Sequence, residues 1–114
     1  MAEVKRRNQW VISKVFLEFM SDEVGTRSAG TTLPKLKGTG KTTKEIATLA
    51  RAEGMTQRFR MLDDDGQVYY EGYMVPFEDH DDNSDGFEPL DDFGMPNSGC
   101  TELQYWDKTG WTTL

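Results

Sequence analysis

The chain is predicted to be an α+β protein, an antiparallel sheet of about five strands with one principal helix packed on one face. Three observations lead there. Val, Ile, Phe, Tyr and Trp fall in short runs that suit a pleated, half-buried surface. Two pairs of these runs are separated by brief turns containing Gly66 and Gly110, as in hairpins. One stretch, residues 43–53, carries both the start and the stop signals of a helix. The order β, α, β, β, β, β sets a single helix against the sheet.

Each element has its own justification. Within residues 10–20, Ile12, Val15, Phe16, Phe19 and Met20 fit a helical face, whereas Val11, Val15, Leu17 and Phe19 fit a strand face. The β-branched and aromatic content, with no convincing cap, decides for strand. Residues 21–41 are rich in Gly, Ser, Thr and Lys, contain Pro34 and show no period, so they form a long loop. A loop of that length in a compact domain is either mobile or engaged with something. Thr42 and Glu45 then form a capping box, Ile46, Leu49 and Ala50 line one side, and Gly54 stands where the helix stops.

Residues 56–62 and 68–74 are read as a hairpin with Asp63, Asp64 and Asp65 at its tip. Asp65 and Gly66 both tolerate the positive φ of a tight turn. A second hairpin joins residues 101–106 to 111–114. Between the two lies an acidic loop, residues 76–99, carrying Phe77, Phe87, Leu90, Phe93 and Met95 among its carboxylates. The 114 residues make one domain, 1–114, with a single aromatic-rich core.

Charge is divided unevenly along the chain. Residues 1–60 hold 12 Lys and Arg against 6 Asp and Glu, and residues 61–114 hold 1 against 14. From 61 to 99 there are 12 acidic residues and no Lys or Arg, so compensation must come from the first half, from a bound cation or from a basic partner. The longest apolar run, residues 10–20, is broken by Ser13, Lys14 and Glu18 and falls short of the roughly 20 residues that span a bilayer. With no secretory cleavage pattern and Cys100 the only cysteine, the expected compartment is the cytoplasm.

Catalytic patterns fare poorly. Gly38, Thr39, Gly40, Lys41, Thr42 and Thr43 resemble the end of a phosphate-cradling P-loop, but the required earlier glycine is Lys35 and the chain has no room for a large parallel sheet. His80 is the only histidine, which removes multi-histidine zinc sites and leaves a triad without a base outside the acidic loop. Cys100 lacks a basic neighbour and reads as a small buried residue. No enzymatic activity is expected. Lys5, Arg6, Arg7, Lys35, Lys37, Lys41 and Lys44 offer a basic patch for nucleic acid, with Trp10 nearby to stack on a base, but the favoured reading is solubilising charge, because the acidic excess opposes direct nucleic-acid binding.

Two readings of the acidic tract remain. Asp81, Asn83, Asp85 and Asp92, with Phe87 offering its carbonyl, match a calcium loop at positions one, three, five, twelve and seven, and Gly86 fills position six. Neither flank reads as a helix, and the Asp at the last position resembles dockerin loops. No other cofactor is expected. In the leading reading, Asp63, Asp64, Asp65, Glu71, Asp79, Asp81, Asp82, Asp85, Glu88, Asp91 and Asp92 imitate the charge density of nucleic acid, and Phe87, Leu90 and Phe93 anchor the contact. The expected partner is a basic, nucleic-acid-binding protein. In size, charge and lack of catalytic signature the chain resembles the small acidic proteins that phages and mobile elements direct against host restriction or CRISPR systems. A calcium-binding or structural interaction module using the same loop is the alternative.

Overall fold

The computed structural model describes residues 9–17, 23–28, 33, 35–75, 89–107 and 109–113. Five strands, β1 (Trp10–Val15), β2 (Gln57–Leu62), β3 (Val68–Met74), β4 (Glu102–Asp107) and β5 (Gly110–Thr113), form one antiparallel sheet in the order β1-β3-β2-β4-β5. The principal helix, α1, spans Thr43–Ala52. A π-helical turn, Leu90–Gly94, runs directly into a short helix, α2 (Met95–Ser98). The fold class, the helix and both hairpins follow the sequence expectation.

The pairing fixes which side chains share a face. Trp10, Ile12, Phe59, Met61, Tyr70, Met74, Leu103 and Tyr105 occupy one side in register. Leu90, Phe93 and Cys100 close over them, and Phe93 meets Tyr70 at 4.8 Å and Trp10 at 5.9 Å between ring centroids. Removing a large side chain such as Phe59 or Tyr70 from water contributes about 1.5–3 kcal/mol, so this aromatic face dominates stability. On the opposite face, Val11 and Tyr73 pack under Ile46, Leu49 and Ala50 of α1, with Leu33, Leu36 and Met55 at the margin. Because α1 lies chiefly on β1 and β3, it covers only half of that face.

Local chemistry sets the boundaries. Thr42 Oγ1 accepts from the Glu45 N–H at 3.1 Å, and Glu45 Oε1 accepts from the Thr42 N–H at 2.9 Å, which completes the capping box. The Glu45 carboxyl is held below its ordinary pKa by the backbone hydrogen bond from Thr42. Gly54 ends the helix at φ +87°.

The first hairpin turns differently from the expectation. Among residues with positive φ at its tip there is only Gly66, at +81°; Asp65 stays on the negative side. Asp63 explains the difference. Its Oδ1 accepts from the N–H groups of Asp65 and Gln67, each at 2.9 Å, while the Asp63 N–H donates to the Gln67 carbonyl at 3.0 Å. The result is a three-residue loop with glycine in the bulge position rather than a two-residue turn.

The loop expected at 21–41 is engaged, in the part described, with β1. Ile12 N–H donates to the Thr26 carbonyl, Gly25 N–H to Ile12, and Ser28 N–H to Trp10, and Val11 bridges Arg27. This segment closes the outer edge of β1. The expectation that 76–99 is loop throughout is corrected from Pro89 onward, and residues 76–88 lie outside the described residues. Pro89 opens the turn in helical geometry, Leu90 and Phe93 fall three apart and are buried, and Gly99 at φ +73° stops the helix. Cys100 N–H to the Gly94 carbonyl and Gly99 N–H to Met95 complete that stop. Among the described residues, no helix is long and apolar enough to cross a membrane.

Candidate partner-binding surface

The hairpin β2–β3 carries the described start of the acidic surface. Asp64 and Asp65 project at the tip and are exposed. Asp63 is partly shielded and its carboxylate organises the turn, so its pKa lies below the ordinary value, chiefly through the backbone hydrogen bond from Gln67. The neighbouring Tyr69 phenol is pushed up by its hydrogen bond to Asp63. Asp63 is therefore a structural anion first.

The other expected residues are distributed as follows. Glu71 leaves the tip altogether: it sits in β3 on the α1 side of the sheet, with its Oε1 3.9 Å from Arg58 Nη2. Leu90 and Phe93, expected to anchor a partner, are 4% and 3% exposed and belong to the core. That is a correction, since a side chain holding the aromatic face together cannot also insert into another protein. Asp91 and Asp92 lie on the π-helical turn between them. Asp79, Asp81, Asp82, Asp85, Phe87 and Glu88 lie outside the described residues, as does Asn83, so four of the five proposed calcium ligands do too. The downstream flank of that loop is helical, contrary to expectation. Among the described residues no group of three or more His, Cys, Asp or Glu is arranged to hold a metal.

First-half cations are directed elsewhere. Lys37 pairs with Glu23 at 3.1 Å. The Lys14 ammonium sits 4.7 Å over the Phe16 ring and the Arg51 guanidinium 5.9 Å over Tyr73. Among the described residues, the one ion pair linking a cation of the first half to a carboxylate of the second is Arg58 with Glu71.

A second cluster went unnoticed in the sequence. On the half-face that α1 leaves open, Tyr73, Arg58, Trp106 and Trp111 form one cross-strand row, and Glu71, Arg60, Gln104 and Thr113 form the next. The two indoles meet edge to face at 5.4 Å. Arg58 lies 5.5 Å over Trp106 and 5.3 Å over Trp111, and Arg60 lies 4.3 Å over Trp111. The signal was legible: Trp106 and Trp111 are equidistant from the second turn and must face each other across the hairpin.

Cys100 is buried in the core, where desolvation raises its thiol. An open depression of about 480 Å³ is lined by Gly38, Gly40, Lys41, Thr42 and Thr43 of the P-loop-like segment, and the capping box already uses Thr42. Fold and surface together define an α+β protein with an acidic hairpin tip and an open arginine–tryptophan half-face. No family model matches the chain, and no curated protein or solved structure matches it either.

Proposed function

We propose that the protein is a non-enzymatic, acidic inhibitor that acts in the cytoplasm by mimicking nucleic acid. It occupies the basic groove of a nucleic-acid-binding protein, such as a host defence nuclease or CRISPR effector opposed by a phage or mobile element. The observation that carries this reading is the uncompensated charge of the second half. Residues 61–99 contain 12 carboxylates and no Lys or Arg, and Asp64 and Asp65 stand exposed with no ion-pair partner among the described residues. Anions held on a rigid hairpin attract a basic groove at long range and fix the register of approach.

The contact centres on Asp64, Asp65 and the acidic tract that follows β3. Leu90 and Phe93 serve it from below, by clamping the end of that tract to the sheet. The test is a titration of the purified protein against DNA-bound candidate nucleases and repressors. Release of DNA at low salt, weakening as salt is added, supports the reading; retention of DNA by every candidate at low salt removes it.

A further inference from the structure

The arginines of the open half-face and the aspartates of the hairpin tip have opposite sign, and the fold keeps them apart. Arg60 Nε donates to Gln104 Oε1 at 2.7 Å, which holds the guanidinium over Trp111. Among the described residues no carboxylate lies within ion-pair distance of Arg60. Arg58 reaches Glu71 only at 3.9 Å, and its side chain is 42% exposed. Glu102 is occupied elsewhere, because its Oε2 accepts from Gln104 Nε2 at 2.6 Å and Thr113 Oγ1 at 3.0 Å. The Arg58 and Arg60 guanidiniums lie 5.3 and 4.3 Å from the same Trp111 ring centroid, so two neighbouring carboxylates can engage both forks at once.

The molecule cannot bring its own tip to this cluster. Gln57 Nε2 donates to the Trp106 carbonyl at 2.8 Å, which sets the cluster at the start of β2, whereas the tip follows the end of that strand at Leu62. Roughly 13 Å of strand separates Arg60 from Asp64, and roughly 20 Å separates Arg58 from it. An ion pair needs nitrogen and oxygen within about 4 Å. Asp64 and Asp65 therefore stand exposed at one end of a rigid hairpin, with the arginine forks at the other.

We propose that two copies of the chain associate antiparallel about a two-fold axis, the Asp64 and Asp65 carboxylates of each seating on the Arg58 and Arg60 guanidiniums of the other. Tip and cluster are equally far apart in both copies, so the two contacts form together and the assembly closes as a dimer. The second copy also covers Trp106, which is 44% exposed. Charge decides the occupant. The net charge of −7 repels a second copy at long range, but charges more than about 8 Å apart are largely screened at physiological ionic strength, and the close contacts are all of opposite sign. A single-stranded nucleic acid instead brings a phosphate with every nucleotide past the acidic tip as well as the arginines. The dimer goes beyond the inhibitor reading, since it requires no basic groove.

The test is sedimentation equilibrium of the whole chain. At low salt the average mass is expected to rise with concentration toward twice that of one chain, and to fall back as salt is added. Asp64→Lys with Asp65→Lys, and separately Arg58→Glu with Arg60→Glu, place like charges against each other and are expected to weaken association at least about tenfold. An equimolar mixture of the two double variants restores opposite signs at both contacts and is expected to dimerise like the wild type. Circular dichroism establishes that each variant is folded; the tip variant alters only exposed side chains and carries the test alone if the arginine variant does not fold. A wild type that stays monomeric at low salt, a tip variant that dimerises as well as the wild type, a mixture of folded variants that stays monomeric, or a mass that grows beyond two chains would each overturn the proposal. Failure of DNA displacement with the mass still doubling would remove the inhibitor reading and leave the dimer in place.

Discussion

Gly72 lies in β3 between Ile12 of β1 and Phe59 of β2, and the sheet closes around it so tightly that even a methyl group has no place. A Cβ built there falls 2.7 Å from Phe59 Cζ and 3.0 Å from Phe59 Cε2, and runs into the Val11 carbonyl oxygen. Carbon atoms in contact prefer about 3.5–4.0 Å, so the overlap with the ring is close to 1 Å. Neither neighbour can yield freely: Phe59 is wholly buried, and the Val11 oxygen belongs to the backbone of a paired strand. Overpacking of this kind costs about 1–3 kcal/mol. For a domain of this size Gly72→Ala is therefore expected to lower the melting temperature by about 5–15 °C. Gly72 does not sit at positive φ, so the effect is steric.

Gly94→Ala provides the internal comparison. Its Cβ meets Met61 Sδ at 2.5 Å, the far end of a flexible side chain, and alanine improves helix propensity at that position. The expected change is within about 1 kcal/mol. Thermal and urea denaturation followed by circular dichroism measure both variants. A Gly72→Ala protein that melts with the wild type, or a Gly94→Ala protein that loses more than Gly72→Ala, would refute the packing argument.

Two further outcomes follow from the core and the turn. Phe93→Ala is expected to destabilise the protein by about 3–5 kcal/mol, with a red shift in Trp10 emission as its ring loses cover; urea melts and fluorescence spectra measure it. The Asp63 carboxyl is depressed in the folded state, so its contribution to stability is fully present above the ordinary value of 3.8 and is lost as pH falls from there through the lowered pKa. Asp63→Asn should therefore flatten the acid limb of the stability curve below that pH, and an unchanged acid limb would refute the assignment of Asp63 to the turn.

Much of the fold was legible because it was written locally. The capping box at Thr42 and Glu45 and the stop at Gly54 name the helix without reference to anything distant. The alternation around Phe59 and Met61, and around Tyr70 and Met74, likewise yields a hairpin whose inward side is unambiguous. What the sequence hid depended on neighbours far along the chain. Leu90 and Phe93 look like exposed hydrophobes among aspartates until Tyr70 and Trp10 arrive beneath them, and only that burial makes a helical turn worthwhile there. The clues were present in Pro89, the three-residue spacing and Gly99, but the surrounding charge outweighed them. The turn at Asp65–Gly66 was recognised while its geometry was not, because Asp63 competes for the same backbone groups through its side chain.

The candidate surface was legible in composition and not in direction. Sequence counting places Glu71 with Asp63, Asp64 and Asp65, yet pairing sends it to the α1 side of the sheet beside Arg58. The Trp106–Trp111 pair is legible in the second hairpin, but its alignment with Arg58 and Arg60 arises from register between β2 and β4, which no single segment announces.

The strand order also has a consequence for synthesis. α1, β2 and β3 are consecutive in the chain, and β2 and β3 fill the interior of the sheet, so that block can form from contacts close in sequence. β1 precedes that block and meets residues 25–28 early, but β3, the strand it pairs with, follows about half a chain length later. Trp10 and Ile12 of β1 wait for the later strands to cover them, which makes the first strand, and not the acidic half, the segment that a nascent-chain chaperone has reason to hold.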